Sequence, residues 1–298
     1  MLCRRLLRSI RLLHRSGPHQ RIRRVPSPHS ISRANDSYVD QSTAQSAGLI
    51  SESSGSYIIA SDSTNVAPGG RQSVRITSKD TYNQVLIIAD FSHLPSAACG
   101  TWPAFWTTNL NNWPAGGEID IIEGVNQDTT NHVALHTAPD CTVSPGAMTG
   151  SMATTDCDAT VDGNAGCGGY ANSFATYGDG FNQLGGGVYA MDWRAEGIRV
   201  WSFSRANIPS DILSGNPTTA NWPMPDFDFT GPDANIPARF NDHQIIFDLT
   251  FCGDWAGNTF NQCGCSGTCT DYVANNPSAF ADSYFGVQNL TVFKANNA

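Results

Sequence analysis

Three carboxylic acids fall within six residues in Glu118-Ile119-Asp120-Ile121-Ile122-Glu123, flanked by Gly116-Gly117 and Gly124. On a helix these acids would point to different sides, and β-branched isoleucine among glycines disfavours a helix. On a strand, Glu118 and Asp120 share one face while Ile119 and Ile121 take the other. Glu123 then falls on the wrong face unless one extra residue at Ile121-Ile122 forms a β-bulge. With the bulge all three acids face one way and both isoleucines can be buried. Glu118 and Glu123 then stand about four strand steps, or ~13 Å, apart at Cα. Two glutamates leaning together on a curved strand can approach the separation of about 5–5.5 Å that retaining glycosidases use. There one carboxylate attacks the anomeric carbon while the other protonates the leaving oxygen. Asp120, between them, can hold the attacking carboxylate through a shared hydrogen bond, and its charge can raise a neighbour's pKa so that a proton is available. Two plainer readings compete. One is solvated surface charge, which is costly for like charges this close; the other is a calcium site, whose ligands are carboxylates. Catalysis is the preferred reading of the residue chemistry.

A strand bearing these acids needs a sheet around it. From about Tyr38 short apolar runs alternate with turn clusters, which predicts strands over 57–60, 73–77, 84–91, 104–107, 118–124, 132–137, 188–193, 197–204, 244–251 and 284–293. The runs 188–193 and 197–204, joined by Arg194-Ala195-Glu196, form a hairpin. Only 209–213 has helical character, as a single turn. Ten short strands and little helix predict an all-β sandwich of two sheets. The stretch 140–183 is rich in Gly, Ala, Thr, Asp and Cys and shows no periodicity. It reads as a long loop, pinned by Cys141, Cys157 and Cys167 or functional. Without a repeat or a second core, the body reads as one domain.

Composition narrows the partners. Residues 1–35 carry nine arginines and no acid, so the remaining eight Lys+Arg and all 26 Asp+Glu give residues 36–298 a net charge of 8 − 26 = −18. So acidic a body repels phosphate backbones, which excludes nucleic acid as an expected partner, whereas a neutral polysaccharide meets no such penalty. With no run of 18 apolar residues, no membrane span is expected. Eight of the nine cysteines lie outside the leader. That even number in an acidic, Gly-rich domain predicts four disulfides and an oxidising compartment. The tight Cys263-x-Cys265-x3-Cys269 cluster has a competing zinc reading, but it lacks an obvious second ligand pair. The Arg-rich start lacks the apolar core of a signal peptide and resembles a mitochondrial presequence. With Pro26 and Pro28 among polar residues, 1–35 is expected to be disordered and outside the folded unit. Asn35-Asp36-Ser37 and Asn289-Leu290-Thr291 match the N-glycosylation pattern.

A wider set of motifs surrounds the acids: Trp102-Pro103-Ala104-Phe105-Trp106, then Asn112-Trp113-Pro114, the acidic strand, and His132-Val133-Ala134-Leu135-His136-Thr137. With the 189–203 hairpin, these make residues 38–293 resemble glycoside hydrolase family 16, specifically the laminarinase-like fungal endo-1,3(4)-β-glucanases. The resemblance implies a β-jelly roll of two antiparallel sheets with a concave substrate cleft. It implies Glu118 as nucleophile, Glu123 as general acid/base and Asp120 assisting, with retention and no cofactor or metal in the reaction. The bulged spacing implies β-1,3 bonds, or β-1,4 bonds beside them, whereas the unbulged spacing is that of lichenases. Trp106 and Trp113 are expected to line the cleft, because glucose rings present apolar faces that stack on indoles. Trp255 is expected on the opposite wall, and His136 beside a sugar hydroxyl or the acid/base. Trp102 reads as a core residue. The resemblance also implies a monomer, outside the cell or at the cell wall, acting on β-glucan. Residues 36–298 then form the catalytic domain, without the aromatic-rich first strand of its relatives. Two other functions fit the same residues: a transglycosylase acting on cell-wall glucan, and a non-catalytic glucan-binding jelly roll.

Overall fold

A computed structural model describes residues 7–13, 22–23 and 36–295, the side chains being described over 36–294 apart from Pro232. Two large antiparallel sheets account for most of it. The sheet that carries the acids runs, in order, Ser151–Thr154, Cys167–Tyr170, His132–His136, Glu118–Glu123, Thr101–Thr108, Gln244–Phe251, Arg75–Ser78 and Ile22–Arg23. The facing sheet runs Ser144–Pro145, Phe227–Thr230, Gly197–Ser204, Gly187–Arg194, Val85–His93, Tyr284–Ala295, Ser56–Ala60 and Ile50–Ser53, with Leu7–Leu13 also on Tyr284–Ala295. A small parallel pair joins Asp36–Tyr38 to Arg71–Ser73. The predicted sandwich is thus the observed one, and its strand order is that of a jelly roll, each sheet collecting strands from distant parts of the chain.

The core lies between the sheets and follows from their period-2 alternation. Phe105 and Phe247, on neighbouring strands, stack at 4.4 Å, and Phe91 from the other sheet meets Phe105 edge-on at 5.7 Å. Ile119, Ile121 and Ile122 are buried in the same cluster. Burying each is worth about 1.5–3 kcal/mol, which fixes the face on which their acidic neighbours emerge.

Two pieces of the leader are strands at sheet edges: Leu7–Leu13 pairs with Tyr284–Ala295 and Ile22–Arg23 with Arg75–Ser78. The other leader residues, including Cys3 and Asn35, lie outside the described residues. Asn289 is half-buried on the Tyr284–Ala295 strand, and its Nδ2 donates to Thr291 Oγ1 at 3.0 Å.

Three expectations are corrected. The stretch 140–183 is not structureless, since Ser144–Pro145 joins one sheet while Ser151–Thr154 and Cys167–Tyr170 extend the other. These strands are short, and their Gly-rich, Thr-rich composition hides the alternation. Helical turns extend beyond 209–213: Gln41–Ser46, Gly178–Gln183, Ile236–Arg239 and Cys269–Asn275 are α-helical, each too short to print a 3.6-residue period. Among the described residues there are three disulfides rather than four: Cys99–Cys265, Cys157–Cys167 and Cys252–Cys269. Cys141 sits in the central core and Cys263 against a separate cluster beneath the 252–280 segment, so the two thiols are packed apart.

Candidate active site

The acidic strand carries the bulge that its sequence requires. Against His132–His136, Asp120 pairs with Ala134 but Glu123 with His132, so Ile121 and Ile122 together oppose Val133. Against Thr101–Thr108, Asp120 pairs with Trp106 and Ile122 with Phe105, which leaves Ile121 as the extra residue. Glu118, Asp120 and Glu123 therefore share the face that Trp102, Ala104, Trp106 and Thr108 present on the adjoining strand. A glycine must precede the strand: Gly117 has φ +81°, and a Cβ there would lie 2.4 Å from the Phe240 ring and 2.6 Å from the Arg239 carbonyl. That turn is anchored from below by His243, whose Nε2 donates to Gly116 O at 2.8 Å while Nδ1 accepts from Thr107 Oγ1. Burial holds this imidazole near a pKa of about 4 and so keeps it neutral.

Glu123 and Asp120 have partners of their own. Trp102 Nε1 donates to Glu123 Oε1 at 2.8 Å, and His132 Nδ1 lies 3.4 Å from Glu123 Oε2. His136 Nε2 lies 3.2 Å from Asp120 Oδ2, and its Nδ1 is paired with Asn164 Oδ1 at 3.0 Å. Along the same row, Asp248 stands beyond Ala104 from Glu123 and is paired with Arg75, Nη1 to Oδ2 3.6 Å.

Burial and mutual charge hold protons in this cluster. Glu118 is pushed up to about 8, by burial first and then by Asp120, with His136 opposing and Glu123 adding to the rise. Burial, Glu123 and Asp248 push Asp120 well above the carboxylate range. Burial alone would raise Glu123 too, but its contacts with His132 and the Trp102 N–H bring it below its ordinary value. Glu118 and Asp120 are thus biased toward their protonated forms and Glu123 toward its carboxylate.

The residues expected at the site divide as follows. Trp106 lies beside Asp120 on the acidic face, with the Arg75 guanidinium 4.7 Å above its ring. Trp113 sits in the turn leading into the acidic strand, half-buried, ahead of a cis bond to Pro114. Trp255 occupies a single turn at Gly253–Gly257, held between the Cys252–Cys269 and Cys99–Cys265 bridges. Its ring meets Trp102 edge-on at 5.8 Å and His132 at 5.2 Å. Two expectations change: His136 contacts Asp120 rather than the acid/base, and Trp102 is a half-buried donor to Glu123 rather than a core residue. Strand alternation could have found Trp102, because the parity that puts Trp106 beside Asp120 puts Trp102 on the same face. Sequence reasoning missed His132, Asn131, Arg75 and Asp248. Among these, only His132 stood inside a quoted motif.

One ligand atom each from Glu118, Asp120 and His136 lie within 4.8 Å of one another, close enough to hold a cation. The imidazole donor argues against calcium, which takes oxygen ligands, and suits a transition metal better.

Fold and site together define a two-sheet antiparallel β-sandwich with an acidic bulged strand on one sheet. A family model described as the XgeA-like, catalytic GH16 domain matches residues 33–293. The chain belongs to glycoside hydrolase family 16. It is 46% identical to a probable glycosidase of Schizosaccharomyces pombe over 86% of this chain and 62% of that protein. An endo-1,3(4)-beta-glucanase of Emericella nidulans is 40% identical over 86% of this chain and 42% of its own length. The chain thus spans from about two-fifths to three-fifths of these relatives. Among solved structures, Laminarinase 16A from Phanerochaete chrysosporium, with two beta-glucans in its donor and acceptor sites, superposes with a TM-score of 0.86 at 42% identity, covering 90% of this chain and 93% of that one. An elongating family 16 beta-1,3-glucosyltransferase gives 0.84 at 36% identity, with the same coverage.

Proposed function

We propose that this chain cleaves β-1,3-glucan, and mixed β-1,3/1,4-glucan, at internal bonds with retention, residues 36–298 forming the catalytic domain. The observation that carries the reading is the bulge at Ile121, which brings Glu118, Asp120 and Glu123 onto one face beside tryptophans. In the first step a Glu118 oxygen bonds to the anomeric carbon. The glycosidic C–O bond breaks toward the leaving oxygen, which takes the proton of Glu123. In the second step Glu123, now a carboxylate, removes a proton from water, whose oxygen displaces Glu118 from the anomeric carbon. Two inversions give net retention.

Attack requires Glu118 ionised and Glu123 protonated, whereas burial of Glu118 and the His132 and Trp102 contacts of Glu123 favour the reverse. Moving one proton between them changes no net charge. A glycosidic oxygen beside Glu123 accepts its hydrogen bond and favours the protonated form, while positive charge developing at the anomeric carbon favours an ionised Glu118. Asp120, between the two on the same face, can in its protonated form donate a hydrogen bond to the Glu118 carboxylate.

Trp106 and Trp113 serve as stacking platforms for glucose, with Trp255 as the opposite wall and His136 holding Asp120. The partner is β-glucan, met as a monomer outside the cell or at its wall; among the described residues no helix is long and apolar enough to cross a membrane. Likeness to the elongating glucosyltransferase favours a second reading, in which another glucan takes the place of water, and analysis of laminarin products separates the two. The test of roles is that Glu118→Ser and Glu123→Ala each abolish release of reducing sugar while laminarin still binds. Azide should rescue Glu123→Ala as a β-glycosyl azide. An α-azide, or full activity in either variant, overturns the assignment.

A further inference from the structure

A β-bulge strands backbone groups that a regular ladder would pair. Here the register with His132–His136 jumps from Asp120 to Glu123, and the groups left over are the Ile121 carbonyl and the Glu123 N–H. Both are met by one side chain. Asn131, 1% exposed and just ahead of the His132–His136 strand, accepts from Glu123 N–H through Oδ1 at 3.0 Å and donates from Nδ2 to Ile121 O at 2.8 Å. A primary amide is the side chain suited to this place: it offers a donor and an acceptor side by side. An aspartate supplies only acceptors, and an isosteric leucine supplies neither.

Asn131 is itself held at both ends of its backbone. Its N–H donates to Thr176 Oγ1 at 3.1 Å, and its carbonyl accepts from Ala171 N–H at 2.8 Å. Thr176 in turn is tied down, its hydroxyl donating to Ser173 O at 2.6 Å and its carbonyl accepting from Tyr189 on the opposite sheet. The chain of contacts therefore runs from the facing sheet, through the 171–176 segment, to the backbone of one carboxylate. Glu118 has no counterpart to this clamp among its described contacts. Asn131 also sets the start of the strand that brings His132 to Glu123.

We infer that Asn131 is a positioning residue for the acid/base: it fixes the bulge backbone and through it the direction in which the Glu123 carboxyl meets the leaving oxygen. This rests on the role proposed above for Glu123.

The test uses two substrates with opposite needs. Laminarin has a poor leaving group that must be protonated; a dinitrophenyl β-laminaribioside has one that needs no proton. Asn131→Ala is expected to lower kcat on laminarin by about 10²–10³-fold, within the range of about 10²–10⁴ for acid–base contributions, with KM unchanged. Release of dinitrophenol in the first turnover should fall by less than about tenfold, and azide should restore steady-state turnover. Equal losses on the two substrates, or no loss on laminarin, overturn the inference. Should Asn131→Ala fail to fold by circular dichroism, Thr176→Val decides, because it removes only the hydroxyl behind Asn131: a selective loss on laminarin supports the inference, and an equal or absent loss overturns it. Glu123→Ala is measured beside them. If that variant loses both substrates equally, the role of Glu123 is wrong; if it spares the dinitrophenyl substrate while Asn131→Ala does not, only the positioning inference is.

Discussion

Replacing Trp102 by phenylalanine removes one N–H from the site and leaves an aromatic ring against Trp255. That N–H donates to Glu123 Oε1 at 2.8 Å, and the Glu123 side chain is 12% exposed, so solvent replaces little of what is lost. A hydrogen bond to a charged acceptor contributes about 1.5–3 kcal/mol, and a pKa unit corresponds to about 1.36 kcal/mol. Because the bond favours the ionised carboxylate, its loss should raise the pKa of Glu123 by about one to two units. His132 remains at Oε2 and retains part of the depression. The assay is the pH dependence of kcat/KM on laminarin, which reports groups of the free enzyme, followed between about pH 3 and pH 9. The acidic limb, set by protonation of Glu123, should move upward by about one to two units. The alkaline limb, set by Glu118 near 8, should stay where it is. A lower rate with an unmoved acidic limb would refute the claim that this donor, together with His132, depresses Glu123.

Three further outcomes follow from the same geometry. Asp120→Asn removes a charge that raises Glu118, so the alkaline limb should move to lower pH, with kcat reduced by about 10²-fold or more; an unchanged limb would mean that Asp120 does not set the proton on Glu118. Glu118 is raised from 4.5 to about 8, so it opposes folding as pH climbs through that window, while below 4.5 the opposition vanishes. Glu118→Gln should therefore raise Tm at pH 8 and above and leave it nearly unchanged near pH 4, and a constant difference across pH in thermal unfolding would contradict this. Native alkylation followed by peptide mapping should modify Cys263 and spare Cys141 until the protein is unfolded, the six bridged cysteines remaining blocked. Labelling of both thiols at equal rates would contradict their packing.

The parts of the fold that were legible are those where one face is buried along a whole strand. Gly197–Ser204 and Gln244–Phe251 are rich in apolar residues, each with one face in the central core, and their predicted limits are the observed ones. The bulge was legible for the same reason: three acids and three isoleucines admit only one arrangement with every isoleucine inside. The 140–183 stretch was not, because its strands are only two to four residues long and rich in Ser, Thr and Gly, which gives no apolar contrast. Disulfide number was overestimated because an even count says nothing about where each thiol lands, and Cys141 and Cys263 land in separate clusters. At the site, residues on the acidic strand could be assigned by counting. Asn131, Arg75 and Asp248 could not, since they reach it through strand pairings set by the global topology. Trp102 was misjudged by composition, tryptophan being expected in the core, although the parity of its strand already placed it beside the acids.

In the proposed mechanism Glu118 is the residue that bonds to sugar. A fluorinated laminaribiosyl fluoride, which forms the glycosyl-enzyme and releases it slowly, allows that bond to be located by proteolysis and mass spectrometry. One label per active chain is expected, on Glu118 in the peptide containing Glu118–Glu123, and none in Glu118→Ser. A label on Glu123 or Asp120 instead, or inactivation with no covalent sugar at this strand, would contradict it.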